Sequence, residues 1–315
     1  SVMPNFNGVW SLTTQLQYNV DWPDATAPIG VFAGGYVTGN VDTNVIQKIQ
    51  IDTTGNSTDH GDLSSAARMS GSGASTTRAL YYLGKIGSSY SNTIEYQTIR
   101  SGGNTTDFGD TTQARGIGGE MGLSNNTRSI LGGGFDGTNA RDIIDYVAIA
   151  STGNSTDFGN LLSAIYRMGS CASPTRGLWA GTQTGDSNVI QYITISSTGN
   201  ATDFGDLTRS DDVGAAGLSS DTRGVWGGGD GSNVMDYVTI ASTGNATDFG
   251  DLTATQRDNT SCCSNIRGIF GGGADQGDMN FITIASTGNA TDFGDMVFGL
   301  QAYTTGTSTD HGGVQ

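Results

Sequence analysis

The ten residues STGNATDFGD stand at 197–206, 242–251 and 286–295, and near-copies stand at 53–62, 101–110 and 151–160. A chain that writes one polar, glycine-punctuated phrase six times folds as copies of one supersecondary unit, because such a unit buries its apolar face only against its neighbours. Aligned on the Asn of each GN pair (Asn56, Asn104, Asn154, Asn200, Asn245, Asn289), the copies are 48, 50, 46, 45 and 44 residues apart. That interval is the range of propeller blades.

One unit, 213–253, shows what a copy contains. It holds four apolar runs, GAAGLS (214–219), RGVWGGG (223–229), VMDYVTI (234–240) and ATDFGDLT (246–253). Each is long enough for a strand and too short for a stable helix. The S-T-G-N between the third and fourth runs supplies Gly and Asn for a tight turn at positive φ, and SSDT closes the first pair. Composition agrees: Gly supplies 50 of 315 residues without a Gly-X-Y period, and of 30 acidic residues only Glu95 and Glu120 are Glu. Asp suits turns where Glu suits helices. The expected fold is all-β: a six-bladed propeller of four-stranded antiparallel blades, with seven blades as the alternative count and a linear solenoid as the rival arrangement. The triple-glycine strand is expected beside the narrow axis, where side chains would crowd.

The ends of the chain sharpen the expectation. IGVFAGG (29–35) lacks a first strand before it, while the last residues, GLQAYTTGTSTDHGGV, read as a first strand with nothing after it. Pairing of about 298–306 with 29–35 closes the ring and removes exposed edges. Residues 29–315 are thus the propeller. Residues 1–28 are an arm or attachment segment, or the start of a degenerate seventh blade, with Trp10, Tyr18 and Trp22 as anchors.

In up-and-down blades the 1–2 and 3–4 turns emerge on one side of the disk and the 2–3 and 4–1 connections on the other. The STGN side keeps its length, whereas the 2–3 loops vary, and variable loops on a repetitive scaffold are where specificity is placed. Candidate binding residues are therefore Tyr36, Asn40, Lys85, Tyr90, Asp136, Asp186, Asp230 and Asp275, with the longer loops around Tyr36, Lys85 and Tyr90 forming a taller sector.

A formal charge of −16 repels phosphate backbones and argues against nucleic-acid or anionic-membrane binding. No run of 18 apolar residues exists, so no membrane insertion is expected. Catalytic machinery and a cofactor are not indicated: nucleophile elbow, metal-binding His pair and phosphate loop are all missing from the sequence. Recurrent triplets such as Asn200, Asp203 and Asp206 make oxygen-rich calcium sites conceivable, but turn and capping hydrogen bonds explain them better, and no metal is assigned. Ten arginines fall into two recurring sets, Arg78, Arg128, Arg176, Arg223, Arg267 and Arg68, Arg115, Arg167, Arg209, Arg257, which read as architectural. Cys171, Cys262 and Cys263 read as small buried side chains, and His60 and His311 as packed members of the closing blade.

RGVWGGG (223–229) and RGIFGGG (267–273), each followed by the Tyr- or Phe-bearing third strand and STGNATDFGD, resemble the kelch-like propeller repeats of structural proteins from tailed bacteriophages, especially marine cyanophages. The opening VWSLTTQLQYNVDWP also resembles the segment that precedes such repeats. Tyr237 matches the third-strand Tyr of ordinary kelch blades, but Phe249 stands where they carry Trp, so cellular kelch adaptor roles do not transfer. The resemblance implies a virion location, assembly in the host cytoplasm, and a non-enzymatic tail-fibre or collar module contacting other virion proteins, a host glycan or a host protein. A purely architectural capsid decoration or connector is the alternative, and a glycan depolymerase a third.

Overall fold

In the computed structural model, residues 27–37, 39, 41–118, 121–181, 187–210, 214–229, 231–273, 277–297 and 302–314 are described. The arm proposed for residues 1–28, with Trp10, Tyr18 and Trp22, falls almost wholly outside them.

Six four-stranded antiparallel sheets form the body, and their inner strands are neighbours in ring order, the last beside the first. Blade 4 is typical. Its strands run Gly169–Ala172, Arg176–Ala180, Val189–Thr194 and Thr202–Asp206 from the axis outward. Blade 1 is built from both chain ends, as the sequence implies: Thr305–Ser308 pairs antiparallel with Ile29–Ala33, Gly30 opposite Ser308 and Ala33 opposite Thr305. The closing strand therefore begins later than the expected 298–306, and its partners are 30–33. Six blades, and a closed ring, are what the chain makes.

The glycine-rich second strand does not line the axis. That place belongs to first strands of small residues, GSGA (71–74), GSCA (169–172) and TSCC (260–263) among them. The GG pairs instead end the second strands in left-handed conformation, φ 83° and 111° at Gly228 and Gly229. A methyl on Gly228 would meet the Gln256 carbonyl oxygen at 2.7 Å, because the incoming 4–1 connection passes there.

The repeated phrase is explained by the joints between blades. In every blade the GN asparagine accepts a hydrogen bond from the residue that follows the TDxG glycine in the preceding outer strand: Asp206 N to Asn245 Oδ1 is 3.2 Å, and Asp295 N to Asn56 Oδ1, 3.0 Å, closes the ring. Beside it Gly244 N donates to Phe204 O at 2.8 Å. The expected left-handed Asn is not found, and the Asn is a staple between blades. This also disposes of the Asn200–Asp203–Asp206 triplet: Asn200 serves Asn160 of the blade before, while Asp206 is bound by the blade after. The first arginine set makes a second joint. Arg78, Arg128, Arg176, Arg223 and Arg267 each lie over the third-strand aromatic ring of their own blade and donate to an isoleucine carbonyl of the next, as Arg176 does to Ile240 O at 2.9 Å over Tyr192 at 4.8 Å.

A third joint is buried and was not foreseen. Gln47, Glu95, Asp145, Gln191, Asp236 and Asn280 occupy one third-strand position and are all buried. Five bind the residue three past the TDxG glycine of the preceding blade, for example Asp236 accepting from Thr208 N at 2.8 Å, and Gln47 does so through Ser57, which Val297 N reaches at 2.8 Å. Buried polar contacts of this kind between neighbouring blades help fix a unique packing. Burial raises the pKa of the Asp236 carboxyl. Apolar filling is supplied by Trp179 and Trp226, whose indole N–H groups donate to Met121 O and Gly169 O of the preceding blades.

Candidate functional site

The face carrying the 2–3 and 4–1 connections departs most from the repeat. In blades 1 and 2 the 2–3 loops rise as small ribbons, Tyr36–Val37 with Val41–Asp42 and Lys85–Ile86 with Ser89–Tyr90. In blade 3 the second and third strands themselves lengthen to Arg128–Phe135 and Ala140–Ala148. Blades 1 and 2 carry the longer loops expected around Tyr36, Lys85 and Tyr90, and blade 3, which the loop lengths do not single out, adds its longer strands beside them.

Backbone bridges bind the sector into one band. Tyr36 N donates to Ala302 O at 2.9 Å, Arg68 and Lys85 exchange bonds of 3.0 and 2.8 Å, and Gly116 and Phe135 exchange two of 2.8 Å. Side chains follow the same line. Tyr36 meets Tyr303 edge-on at 5.6 Å, with the Arg68 guanidinium 4.9 Å above the Tyr36 ring and 2.5 Å from Asp42. Lys85 Nζ lies 5.3 Å from the Tyr90 ring, Tyr90 meets Phe135 at 6.0 Å, and Phe135 meets Tyr166 at 5.2 Å. Cations held over aromatic faces and rings meeting edge-on tie the side chains of this crescent to one another.

The sequence candidates thus separate. Tyr36, Lys85 and Tyr90 come together in this crescent. Asp136 is spent on its own turn: its Oδ1 accepts from Asn139 N and Thr138 N, each at 2.8 Å, and it pairs with Arg141. Those backbone bonds, then Arg141, hold its carboxyl down at about 2. Asn40, Asp186, Asp230 and Asp275 lie outside the described residues.

The second arginine set is not one repeat position. Arg68 turns outward to Asp42, Arg115 is fully buried against Asp145 at 2.8 Å, and Arg167 turns toward the axis. Arg167 belongs to a different series. Met69, Gly118, Arg167, Gly214, Asp258 and Tyr303, one per 4–1 connection, all have positive φ between 53° and 71°. Backbone bonds run around them, Ile117 N to Met69 O, Arg167 N to Ile117 O, Gly214 N to Arg167 O, Tyr303 N to Asp258 O and Met69 N to Tyr303 O. These encircle the axial mouth of the loop face. A non-glycine residue held left-handed costs on the order of 1–3 kcal/mol, and among the described residues the four that do so are all here. Nothing in residue type marks this series; the available signal is spacing, each member falling ten or eleven residues after the TDxG Asp.

The opposite mouth is filled by the chain's end. His311 belongs to this end. It turns into the axis, with Nε2 at 3.1 Å from Ser124 Oγ and 3.3 Å from Ala74 O, while Gly313 N donates to Nδ1 at 3.2 Å. Burial lowers its pKa to about 4, so the ring is neutral at neutral pH. Above it the inner strands leave a cavity of about 50 Å³ lined by serines, glycines and the three buried cysteines, enough for water and too small for an organic ligand. Among the described residues no group of three His, Cys, Asp or Glu side chains converges as a metal site. No known family model matches the chain, and no curated protein is significantly similar to it.

Proposed function

We propose that this protein is a non-enzymatic structural and adhesion module of a bacteriophage virion, of tail-fibre or collar type, which meets a host-surface glycan or protein with its loop face. The observation that carries the reading is the Tyr36–Tyr303 and Tyr90–Phe135–Tyr166 crescent, raised above an otherwise regular ring whose recurring Asn, Arg and third-strand polar side chains are committed to joints between blades. The repeat phrases that resemble phage propellers supply the virion context, and the net charge of −16 turns the module away from the packaged genome.

Binding to an array of bacterial surface glycans, lost when Tyr36 and Tyr90 are both changed to Ala in a folded protein, supports this reading. Unchanged binding after that double substitution removes it. Fab labelling of intact particles locates the module: distal labelling fits adhesion, whereas capsid labelling with no array binding fits the architectural alternative. Turnover of host polysaccharide would replace adhesion with depolymerase activity.

A further inference from the structure

We propose that residues 1–26 dock back on blade 1, with the Trp22 indole seated over the Lys48 ammonium in a groove on the STGN side of the disk. The seat is independent of what the loop face binds.

Blade 1 is where the repeat leaves a place unfilled. In blades 2–6 a cation from the second strand covers a ring on the third. In blade 1 the third strand carries the cation, Lys48 opposite Thr58, and the second strand opens with Ile29 opposite Gln50, so the cation is present and its ring is not. What remains is a groove of about 270 Å³ between Lys48, Gln50, Thr58 and the 53–56 turn. Lys48 is half-buried there, and the ion pairs among the described residues do not include it.

The occupant follows from where the chain enters. Pro28 O accepts from Ile51 N at 3.1 Å, one residue past the groove-lining Gln50, and Ala27 O accepts from Arg100 at 2.9 Å. Asp52 and Arg100 stand where blades 3–6 have Ala150, Ser196, Ala241 and Ala285, so the repeat also changes at the entry point. Trp22 lies five residues before Ala27. An extended chain of that length spans about 17 Å, and the groove begins beside Pro28, within that reach.

Charge agrees. Asp21 and Asp24 stand on either side of Trp22 and are the only charged side chains in residues 1–26, so the segment brings two carboxylates and no cation to Lys48. An indole face is the best aromatic partner for an ammonium group. The groove thereby gains the ring that blade 1 lacks and the carboxylates that its lysine lacks. Seated there, residues 1–26 lie on the side opposite the Tyr36 and Tyr90 loops, so that whatever they attach to stands behind the loop face.

The chain holds two lysines, Lys48 on this side and Lys85 on the loop face, so zero-length carbodiimide cross-linking of the full chain reads directly where Asp21 and Asp24 lie. Peptide mass mapping is expected to find Lys48 joined to Asp21 or Asp24 within one chain. Links to Lys85 instead, or no link from Lys48 to either carboxylate, overturn the seat. Mixing heavy-isotope-labelled and unlabelled protein identifies the source: cross-links of hybrid mass alone make the occupant a second copy and overturn it as well. Acrylamide quenching of the full chain gives a second reading, in which the emission lost in Trp22→Phe is expected to be about threefold less quenched than free tryptophan amide. Lys48→Glu sets a carboxylate against Asp21 and Asp24 and is expected to abolish that shielding. Shielding that persists in this variant overturns the seat.

Discussion

The joint between blades can be tested with two glycines six residues apart. Gly205, in TDFG, has φ 149°, and a methyl there would come to 2.5 Å from the carbonyl carbon of Gly244 in the next blade's STGN turn. Five counterparts, Gly61, Gly109, Gly159, Gly250 and Gly294, face the equivalent turn in the same way. Gly199, in blade 4's own STGN, has open space around its Cβ position and is not among the left-handed glycines. Gly205→Ala therefore adds a backbone overlap of about 1–3 kcal/mol to a conformational cost of about 1–3 kcal/mol. The sum is about 2–6 kcal/mol, whereas Gly199→Ala is expected within about 0.5 kcal/mol of wild type. At about 2–4 °C per kcal/mol for a large domain, Gly205→Ala should melt at least about 4 °C lower by calorimetry. Equal melting temperatures for the two variants would refute the claim that the repeated phrase exists to join blades.

Removal of residues 305–314 takes away the strand paired with 30–33 and the axial plug together, so the truncated chain is expected to expose a strand edge and aggregate, which light scattering reads. His311 gives a pH dependence whose sign follows from burial: its pKa falls from 6.5 to about 4 on folding, so the unfolded chain takes the proton first and stability falls as pH drops from about 6.5 toward 4. Over that span the advantage of wild type over His311→Gln should shrink by about 3 kcal/mol in urea titrations. His60→Phe restores the repeat phrase yet should destabilise by about 1–3 kcal/mol, because it orphans the Ile99 carbonyl that His60 Nε2 reaches at 2.7 Å.

The ring, its blade number and its closure were legible because they depend on period and turn chemistry, which are local and written six times. Three things were not. The buried third-strand position changes from Gln to Glu to Asp to Asn, and inside an alternating strand each reads as a solvent-facing residue. The GG pairs read as spacers for a crowded axis because sequence does not say which of four strands is innermost. The axial series carries Met, Gly, Arg, Gly, Asp and Tyr, so neither composition nor motif groups them, and the nearby arginines at irregular spacing drew attention instead. Tyr36, Lys85 and Tyr90 were assigned to raised loops because loop length betrays a loop's height. Tyr303 and Tyr166, on 4–1 connections of nearly constant length, gave no such sign.

Blade 1 shows what the repeat preserves. Where other blades stack Arg on a third-strand ring on an outer-strand Phe, it has Ile29, Lys48 and His60. All three members change together, because this second strand is entered from Pro28 instead of from a turn that positions an arginine. The Ile99 carbonyl of the neighbouring blade still requires a donor, since a buried backbone acceptor left unmet is costly. His60 supplies it from the outer strand, and burial lowers the pKa of the ring, so that it donates as neutral imidazole. The ring thus maintains acceptor satisfaction at each joint while residue identity is free to change. By the same logic the rim and the STGN face of the other five blades, where every turn meets such a demand, leave little room for a specific site. On the loop face the described 2–3 connections differ from blade to blade, and Tyr36 and Tyr90 pack there on neighbours that the repeat does not dictate.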